Sequence, residues 1–509
     1  MEEIELNNDE LRNTTCNLDG NPKIGWLCNK NGLLLKTYGW LAKNAIGIIL
    51  LIHGLKSHTR LTFLRINLKI PDKNEGLIVD TNNYYIYKDS WIEKFNQNGY
   101  SVYALDLQGH GESQAHTNIR GDFSCFDDLV DDVLQYMNQI HDEISNDNQT
   151  NDDKTYDGIL NDDKTYDDIL NDNQMNDESY DIVTTKKKKL PMYVIGYSIG
   201  GNIALRILQL LNKEKGNNIN TGESNNYKKC NTISDNSTNI NEIDNDMYDI
   251  NNFNDYDFDN SCVSTSATTN AIDSSSDKDE GCYNCLDKFN IKGCVTISAM
   301  IRIKSRLDPG NKTFKCFYLP LVKFLSFVLP NTRIFSKSAY KKSDYTANVS
   351  KYDKFRNHSG IKFKYIGEII KATTALDHNI KYMPKDIPLL FVHSKDDTVC
   401  SYEWTVSFRD KVKVNKKDLH SVDGMGHATT MEPGNEEILE KIIDWIYDLR
   451  RNDEDEKENE IKHEIEDKEE NEIKHEIEDK EENEIKHETE DKEENEIKHE
   501  IEDKKENEI

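Results

Sequence analysis

The chain begins with two short strand-like stretches and continues with runs of consecutive apolar residues. The first two strands are predicted at Ile24–Cys28 and Leu33–Leu41, joined through Asn31-Gly32, a hairpin-turn pair. The continuous run Ile46–Ile52 is typical of a parallel strand that is buried on both faces. Further strands are predicted at Tyr100–Leu105, Leu190–Ile195, Ile291–Ser298, Pro388–His393 and Leu419–Val422.

Helical patterns separate these strands. They cover Trp91–Asn98, Phe126–Ile144, Asn202–Asn212, a segment from about Tyr402, and Glu436–Leu449. This alternation indicates an α/β fold, a mostly parallel sheet with helices on both faces. The pattern becomes mostly helical at about residues 302–386, where we expect a helical cap. The most apolar stretch there, Phe314–Pro330, is open to two interpretations, ordinary core or the lining of an acyl pocket.

Three polar segments interrupt this pattern. Residues 147–185 contain a duplicated Asp/Asn-rich block, residues 216–286 are rich in Asn, Asp, Ser and Thr, and residues 451–509 carry a twelve-residue acidic repeat. Such tracts bury too little apolar surface to offset chain entropy, so we predict that the two inserts are disordered. The tail is open to disorder or to a single exposed helix. The expected organisation is one domain at residues 20–450 followed by the tail.

The net charge of −30 over 509 residues belongs to these polar segments. The tail carries −18 and each insert −10, which leaves +8 on the rest of the chain. A mildly basic core is compatible with an anionic lipid surface. The Lys186–Lys189 run is expected to be a solvated approach to the next strand. We expect no nucleic-acid partner, and the sequence leaves the oligomeric state open.

The ten cysteines are scattered without a disulfide framework, and Met1-Glu2-Glu3 begins an acidic stretch instead of a signal peptide. We therefore expect reduced thiols and a cytoplasmic location. No stretch of 18 or more apolar residues predicts a membrane span. Cys282-x-x-Cys285 has only Cys294 nearby, so no metal site is expected.

Ser198 is the centre of Gly196-Tyr197-Ser198-Ile199-Gly200, directly after a predicted strand and directly before a helical pattern. In a G-x-S-x-G nucleophile elbow, a sharp strand-to-helix turn presents the serine hydroxyl. The flanking Gly196 and Gly200 avoid collisions with the neighbouring strand and helix. The five-residue match alone is a weak signal, and its structural context strengthens it. The pattern predicts a serine hydrolase with Ser198 as nucleophile.

A serine nucleophile needs a base, and the base needs an orienting carboxylate. In α/β-hydrolases they follow in the order Ser, Asp/Glu, His, each after a strand. His427 follows the last predicted strand, and Asp397 follows the strand before it. Spacing alone also allows the adjacent Asp396, and Asp423 is close enough in sequence to bond to His427.

The tetrahedral intermediate of acyl transfer also needs hydrogen-bond donors for its oxyanion. One donor is expected to be the backbone N–H of Ile199, the residue after the nucleophile. The second is expected from the loop after the Ile46–Ile52 strand, His53-Gly54-Leu55, through the N–H of Leu55.

Three further motifs resemble those of the monoacylglycerol lipase and lysophospholipase family of serine α/β-hydrolases. The run Asp106-Leu107-Gln108-Gly109-His110-Gly111-Glu112-Ser113 is similar to the family's D-x-x-G-H-G-x-S loop. His53-Gly54 followed by His58 is similar to its H-G-x-x-x-H oxyanion segment. Asp397 stands four residues after His393, as the family's acid does, and this resemblance selects Asp397 over Asp396. With its Asn/Asp-rich inserts, the chain most resembles the apicomplexan parasite lysophospholipase branch.

The resemblance covers about residues 24–212 and 290–449. It implies a hydrolase of carboxylic esters of monoacylated lipids that uses no metal or cofactor and carries a helical cap. The sequence leaves open whether this cap makes peripheral contact with a membrane. We expect His53, Gly54, Asp106, Gly109 and His110 to shape the loops beside the triad. The same triad would also serve a general carboxylesterase, a thioesterase, an acyltransferase or an aminopeptidase. These alternatives stay open because the sequence does not determine which residues line the substrate pocket. A non-catalytic binding protein on this scaffold is a further alternative.

Overall fold

The computed structural model describes residues 16–69, 78–79, 83–117, 119–156, 189–220, 285–302, 319–334 and 344–455, with eleven positions between 458 and 498. Most of the two polar inserts, residues 157–185 and 221–284, therefore lies outside the described residues, as do cap residues 303–318 and 335–343. The chain divides into two compact units, Met1–Ile443 and Asp444–Ile509. Every described position of the second unit is helical.

Eight strands form the main sheet of the first unit. They are β1 (Lys23–Cys28), β2 (Leu34–Trp40), β3 (Gly47–Ile52), β4 (Tyr100–Leu105), β5 (Met192–Tyr197), β6 (Ile291–Ile297), β7 (Leu389–Ser394) and β8 (Lys417–Val422). Their order is β1-β2-β4-β3-β5-β6-β7-β8. β2 is antiparallel to β1 and β4, and the other neighbouring pairs are parallel. Every residue of β3, β4, β5 and β7 is buried, as continuous apolar runs predict for a sheet covered on both faces.

Helices follow most of the parallel strands. They are α1 (Thr59–Phe63), α2 (Trp91–Gln97), α3 (Phe126–Tyr156), α4 (Ile199–Asn220), α5 (Cys285–Lys288), α6 (Leu319–Val328), α7 (Asp344–Tyr352), α8 (Phe363–His378), α9 (Tyr402–Lys411) and α10 (435–455). A 3₁₀ turn covers Ile380–Tyr382. Short antiparallel ladders pair Arg65–Ile66 with Tyr85–Ile86, Leu68–Lys69 with Ile78–Val79, and Arg333–Ile334 with Ile361–Lys362. The predicted α/β class is confirmed.

Helices α6, α7 and α8 come from the segment that was predicted to form a cap. Across the residues that the structure describes, no helix combines the length and apolar character that crossing a membrane requires.

Two helices continue into segments that the sequence predicted to be disordered. α3 ends at Tyr156, inside the insert predicted at 147–185, and α4 ends at Asn220, inside the insert predicted at 216–286. Once a helix is nucleated, each added residue gains a backbone hydrogen bond, so a polar composition does not by itself end it. The first residues of both predicted inserts, 147–156 and 216–220, are therefore helical, and disorder of the remaining residues stays a prediction.

The parallel strands bring the chemistry to one edge of the sheet. The carboxyl ends of β3, β5, β7 and β8 lie at the same edge because these strands run in the same direction. Ser198 follows β5, Asp397 follows β7 and His427 follows β8. The segment His53-Gly54-Leu55 follows β3, so all four loops open on a common site.

Candidate active site

Ser198 occupies a strained turn between β5 and α4. Its φ of +56° lies in the left-handed region, which is unfavourable by about 1–2 kcal/mol for a residue with a Cβ. The Ser198 N–H donates to the Ile297 carbonyl at 2.9 Å, and the Ser198 carbonyl accepts from Gly201 at 3.1 Å and Met300 at 2.9 Å. These three hydrogen bonds hold the turn in place. The apolar pattern predicted that the following helix begins at Asn202, but α4 begins at Ile199 because the turn leads directly into the helix.

Three glycines leave no room for side chains around this turn. A Cβ on Gly196 would lie 2.2 Å from the Gly200 carbonyl oxygen, and one on Gly200 would lie 2.3 Å from the Ile52 carbonyl oxygen. A Cβ on Gly54 would lie 3.0 Å from Ser198 Cβ. The backbone at Gly54 therefore packs directly against the nucleophile.

The structure brings Ser198, His427 and Asp397 together. His427 Nε2 lies 2.9 Å from Ser198 Oγ, and His427 Nδ1 lies 2.7 Å from Asp397 Oδ2. The Tyr197 hydroxyl donates to the His427 carbonyl at 3.0 Å, which ties the histidine loop to the elbow. This arrangement allows the imidazole to accept the Ser198 proton while the carboxylate holds the opposite ring nitrogen.

Asp397 is held in its ionised form. Its Oδ1 accepts the backbone N–H of Val399 at 2.7 Å and of Cys400 at 2.9 Å. Burial alone would raise the pKa of Asp397, but the charge of His427 and the hydrogen bonds from His393 and His427 hold this pKa well below its usual range. The sequence identified His393 as the end of the preceding strand, four residues before the acid, but did not predict that its side chain contacts Asp397.

The two rival acids have other partners. Asp396 accepts the N–H of Gly424 at 2.9 Å. Asp423 is exposed and pairs with Lys395 at 3.1 Å. The acid at the His427 ring is therefore Asp397.

His53 fixes the peptide that was predicted to supply an oxyanion donor. Its Nε2 accepts the Leu107 N–H at 2.9 Å, so its Nδ1 carries the proton and donates to the Gly54 carbonyl at 2.8 Å. Burial, followed by the neighbouring His110, lowers the pKa of His53 to about 3, which keeps the ring neutral. In a trans peptide the Leu55 N–H points away from the Gly54 carbonyl, and hence away from the His53 ring.

The Asp106 carboxylate organises the loop that follows β4. Its Oδ1 accepts the Thr59 N–H at 2.9 Å, and its Oδ2 accepts the Tyr38 hydroxyl at 2.9 Å and the Glu112 N–H at 3.0 Å. Burial alone would raise the pKa of Asp106, but nearby His58 and His53, the Thr59 N–H and Arg60 lower it overall.

Gly109 and His110 lie in the same loop. A Cβ on Gly109, whose φ is +75°, would lie 2.2 Å from the Asp122 carbonyl oxygen, so only glycine fits there. His110 Nδ1 donates to the Gln108 carbonyl at 2.8 Å, and burial lowers the pKa of His110 to about 4. Both residues shape the loop, and no hydrogen bond in the described structure joins either of them to Ser198 Oγ.

Cys400 is a buried neighbour of the triad and follows Asp397 by three residues. Burial raises the pKa of its thiol well above the usual value, and the thiol makes a side-chain hydrogen bond with Ser198. Asp397, Cys400 and His427 place potential metal-ligand atoms within 4.8 Å of one another. Within this group of three residues, Asp397 and His427 are hydrogen-bonded to each other.

Comparison with protein families agrees with this geometry. A family profile described as serine aminopeptidase, S33, matches residues 82–150 and 283–434, which include Asp397 and His427. The chain has the α/β-hydrolase fold. The family match and the fold together support a serine hydrolase, while the elbow with Ser198 lies between the two matched segments.

Comparison with curated proteins returns no match. Among solved structures, the chain is similar to a soluble variant of monoglyceride lipase from Saccharomyces cerevisiae, with 13% identity and a TM-score of 0.49 over 86% of this chain and 98% of that one. It is also similar to a monoacylglycerol lipase from Paleococcus ferrophilus, with 15% identity and a TM-score of 0.43 over 82% of this chain and 99% of that one.

Proposed function

We propose that this α/β-hydrolase is a serine esterase that cleaves carboxylic esters of monoacylated lipids, namely lysophospholipids or monoacylglycerols. The observation that carries the proposal is the continuous hydrogen-bonded series from Ser198 Oγ through His427 to Asp397. Ser198 attacks the ester carbonyl carbon while His427 takes its proton, and His427 then protonates the departing alcohol. A water molecule, deprotonated by His427, releases the fatty acid from the acyl-enzyme. No cofactor takes part in these steps.

The oxyanion is stabilised by the backbone N–H groups of Ile199 and Leu55. Ile199 is the first residue of α4, and the first N–H groups of a helix have no partner within the helix. The partial positive charge of a helix N-terminus favours an oxyanion at the same place. The contact of Gly54 with Ser198 brings the Leu55 peptide to the nucleophile.

The surface of α6 supports a lipid substrate. Phe324 and Phe327 on this helix are 60% and 85% exposed, and Leu321 and Val328 are exposed beside them. An exposed apolar patch of this kind is suited to contact with a lipid surface. We therefore include peripheral membrane contact through the cap in the proposal, with a lipid or small ester as partner and no nucleic acid.

The cysteines agree with a reducing compartment. No disulfide bond joins the cysteines at positions 16, 28, 125, 294 and 400 in the described part of the chain. This supports the proposed cytoplasmic location, since disulfides are typical of oxidising compartments.

Aminopeptidase activity is the second candidate, because the matching family is described in those terms. An aminopeptidase must bind the positively charged amino terminus of its substrate, which an acidic side chain does best. Beside Leu55 the structure places the cationic side chains of Lys56 and Arg120, and the acid in the same lining, Asp122, is already paired with Lys362. This charge favours an ester substrate over a peptide.

A substrate panel tests the proposal. We expect wild-type protein to cleave lysophosphatidylcholine or 1-oleoylglycerol with a higher kcat/KM than p-nitrophenyl acetate, and not to cleave leucine p-nitroanilide. Ser198→Ala should lower turnover by about 10³-fold or more, whereas the exposed Ser145→Ala on α3 should leave it unchanged. Preference for the acetate would indicate a general carboxylesterase, and cleavage of the anilide an aminopeptidase. Faster cleavage of thioesters than of esters would identify a thioesterase, and transfer of the acyl group to an alcohol would identify an acyltransferase.

A further inference from the structure

A small pocket rich in positive charge lies beside the proposed oxyanion segment. Leu55 lines it together with Lys56, Arg120, Asp122, Arg333 and Lys362. We call the set Lys56, Arg120, Asp122, Arg333 and Lys362 the cationic pocket. The same loop therefore approaches Ser198 at Gly54 and this pocket at Leu55 and Lys56.

Arg120 is the deepest cation of the pocket, only 6% exposed. Its Nη1 donates to the Gly111 carbonyl at 3.1 Å, but its Nε and Nη2 are buried and have no hydrogen-bond partner among the described residues. A guanidinium stays charged in proteins, and leaving its buried donors unsatisfied is costly. The two unsatisfied groups share one edge of the guanidinium plane, which is the edge that binds two oxygens of one anion.

The acid in the pocket does not satisfy Arg120. Asp122 is bound by Lys362 Nζ and by Thr117 Oγ1. The side chain of Tyr365 also bonds to Asp122. With these three partners, Asp122 does not satisfy Arg120. Asp353 and Asp106 act on the charge of Arg120 through space, but no described group accepts a hydrogen bond from its Nε or Nη2.

Lys56 adds a second cation without an acidic partner in the described part of the chain. Burial, together with the nearby charges of Arg356 and Arg333, lowers the pKa of Lys56 to about 8. Desolvation and repulsion between cations therefore both act against the charged form of this lysine. An anion bound between Lys56 and Arg120 would relieve both effects.

We propose that the cationic pocket binds the phosphate of the substrate's head group, which makes phosphate-bearing lysophospholipids, instead of neutral monoacylglycerols, the preferred substrates. The inference rests on the proposed esterase function. The planar guanidinium of Arg120 fits two phosphate oxygens, and the Lys56 ammonium supplies a point charge.

The spacing of the two sites fits such a substrate. In a lysophospholipid a single glycerol unit separates the ester carbonyl from the phosphorus. On the protein, Gly54 packs against Ser198 and Lys56 follows two residues later, at most about 7 Å further along the backbone. An ester at Ser198 and a phosphate at Lys56 are therefore within reach of one molecule.

A pair of substrates with the same acyl chain tests the proposal. We expect wild-type kcat/KM to be about tenfold or more higher for 1-oleoyl lysophosphatidate than for 1-oleoylglycerol, the effect of one charge-assisted hydrogen bond. Lys56→Met and Arg120→Met should each lower this ratio about tenfold. Lys94→Met, which removes the same charge from an exposed position on α2, should leave the ratio unchanged. An unchanged ratio in Lys56→Met would overturn the proposal, and so would a parallel loss on both substrates. Lys56 is only half-buried, so its variant keeps the test decisive if Arg120→Met does not fold.

Direct binding separates this proposal from the esterase function. Calorimetry on full-length Ser198→Ala should detect glycerol 3-phosphate but not glycerol, and Ser198→Ala/Lys56→Met should lose the signal. Inorganic phosphate that binds as tightly as glycerol 3-phosphate would reject the head-group assignment in favour of a free phosphate site. Binding of glycerol 3-phosphate without cleavage of any ester would refute the esterase function and leave the phosphate site standing. Absence of glycerol 3-phosphate binding would refute the phosphate site.

Discussion

His393 Nε2 lies 3.3 Å from Asp397 Oδ2, the oxygen that also contacts His427 Nδ1 at 2.7 Å. On its other side, His393 Nδ1 lies 2.8 Å from Thr405 Oγ1. When the threonine hydroxyl donates to Nδ1, His393 carries its proton on Nε2, and this N–H faces the carboxylate in an electrostatic contact that lacks the alignment of a regular hydrogen bond. His393 is thus a positioning residue that limits rotation of Asp397.

Replacing His393 should affect kcat more than KM. His393→Leu removes one donor to the carboxylate, and we expect kcat to fall about tenfold with KM little changed. His393→Gln retains a donor and should restore most of kcat. Steady-state kinetics on 1-oleoylglycerol measure both parameters. Equal losses in the Leu and Gln variants would show that the side chain only fills space.

Asp397 should make the stability of the protein depend on acid pH. Its folded-state pKa lies below the value of about 4 in an unfolded chain. Its ionised form therefore contributes stability that is fully present above about pH 4 and is lost as pH falls through the folded-state pKa. We expect the free energy of unfolding of wild type, relative to Asp397→Asn, to be larger at pH 7 than at pH 3. Urea unfolding measures this difference, with the exposed Asp423→Asn as control. A difference that is the same at both pH values would contradict the assignment.

The elbow should not tolerate a methyl group at Gly196. Gly196→Ala forces a Cβ to within 2.2 Å of a backbone oxygen, so we expect a loss of about 3 kcal/mol or more in unfolding free energy. Gly39→Ala on β2 is the matched control, since the nearest atom to its Cβ would be 3.5 Å away. Thermal or urea unfolding of both variants gives the comparison. Similar stabilities of the two would mean that the turn is not packed as described.

The strain at Ser198 should appear in stability once the nucleophile is gone. Ser198→Gly and Ser198→Ala both remove the hydroxyl, but only glycine adopts a φ of +56° without a steric penalty. We expect Ser198→Gly to be about 1 kcal/mol more stable than Ser198→Ala. Their melting temperatures test this, and the reverse order would argue against a left-handed turn.

Much of the fold could be predicted because its signals are local. The continuous apolar run at Ile46–Ile52 indicates a buried parallel strand, and the G-x-S-x-G segment around Ser198 specifies strand, turn and helix within a few residues. The choice between Asp396 and Asp397 needed more than spacing, since both follow β7. It depended on His393, four residues before Asp397, and the structure shows that these two side chains touch.

The cationic pocket could not be predicted from the chain. Lys56, Arg120 and Arg333 come from three distant segments. Lys56 fills one of the unspecified positions of the H-G-x-x-x-H segment, and Arg120 and Arg333 belong to no motif identified in the sequence. Only tertiary packing brings them together and leaves two donors of Arg120 without acceptors among the described residues.

The extension of helix α3 to Tyr156 was also not predicted. The composition of a segment reports its average polarity and does not show that a helix leads into it.

Covalent labelling tests the central claim most directly. Wild-type protein treated with a fluorophosphonate should gain the mass of one phosphonyl group, and peptide mapping should place it on Ser198 Oγ. Ser198→Ala should gain nothing, and His427→Ala should react far more slowly because its serine has no base. An unlabelled wild type, or a Ser198→Ala variant that is labelled as fast as wild type, would contradict the assignment of Ser198 as the nucleophile.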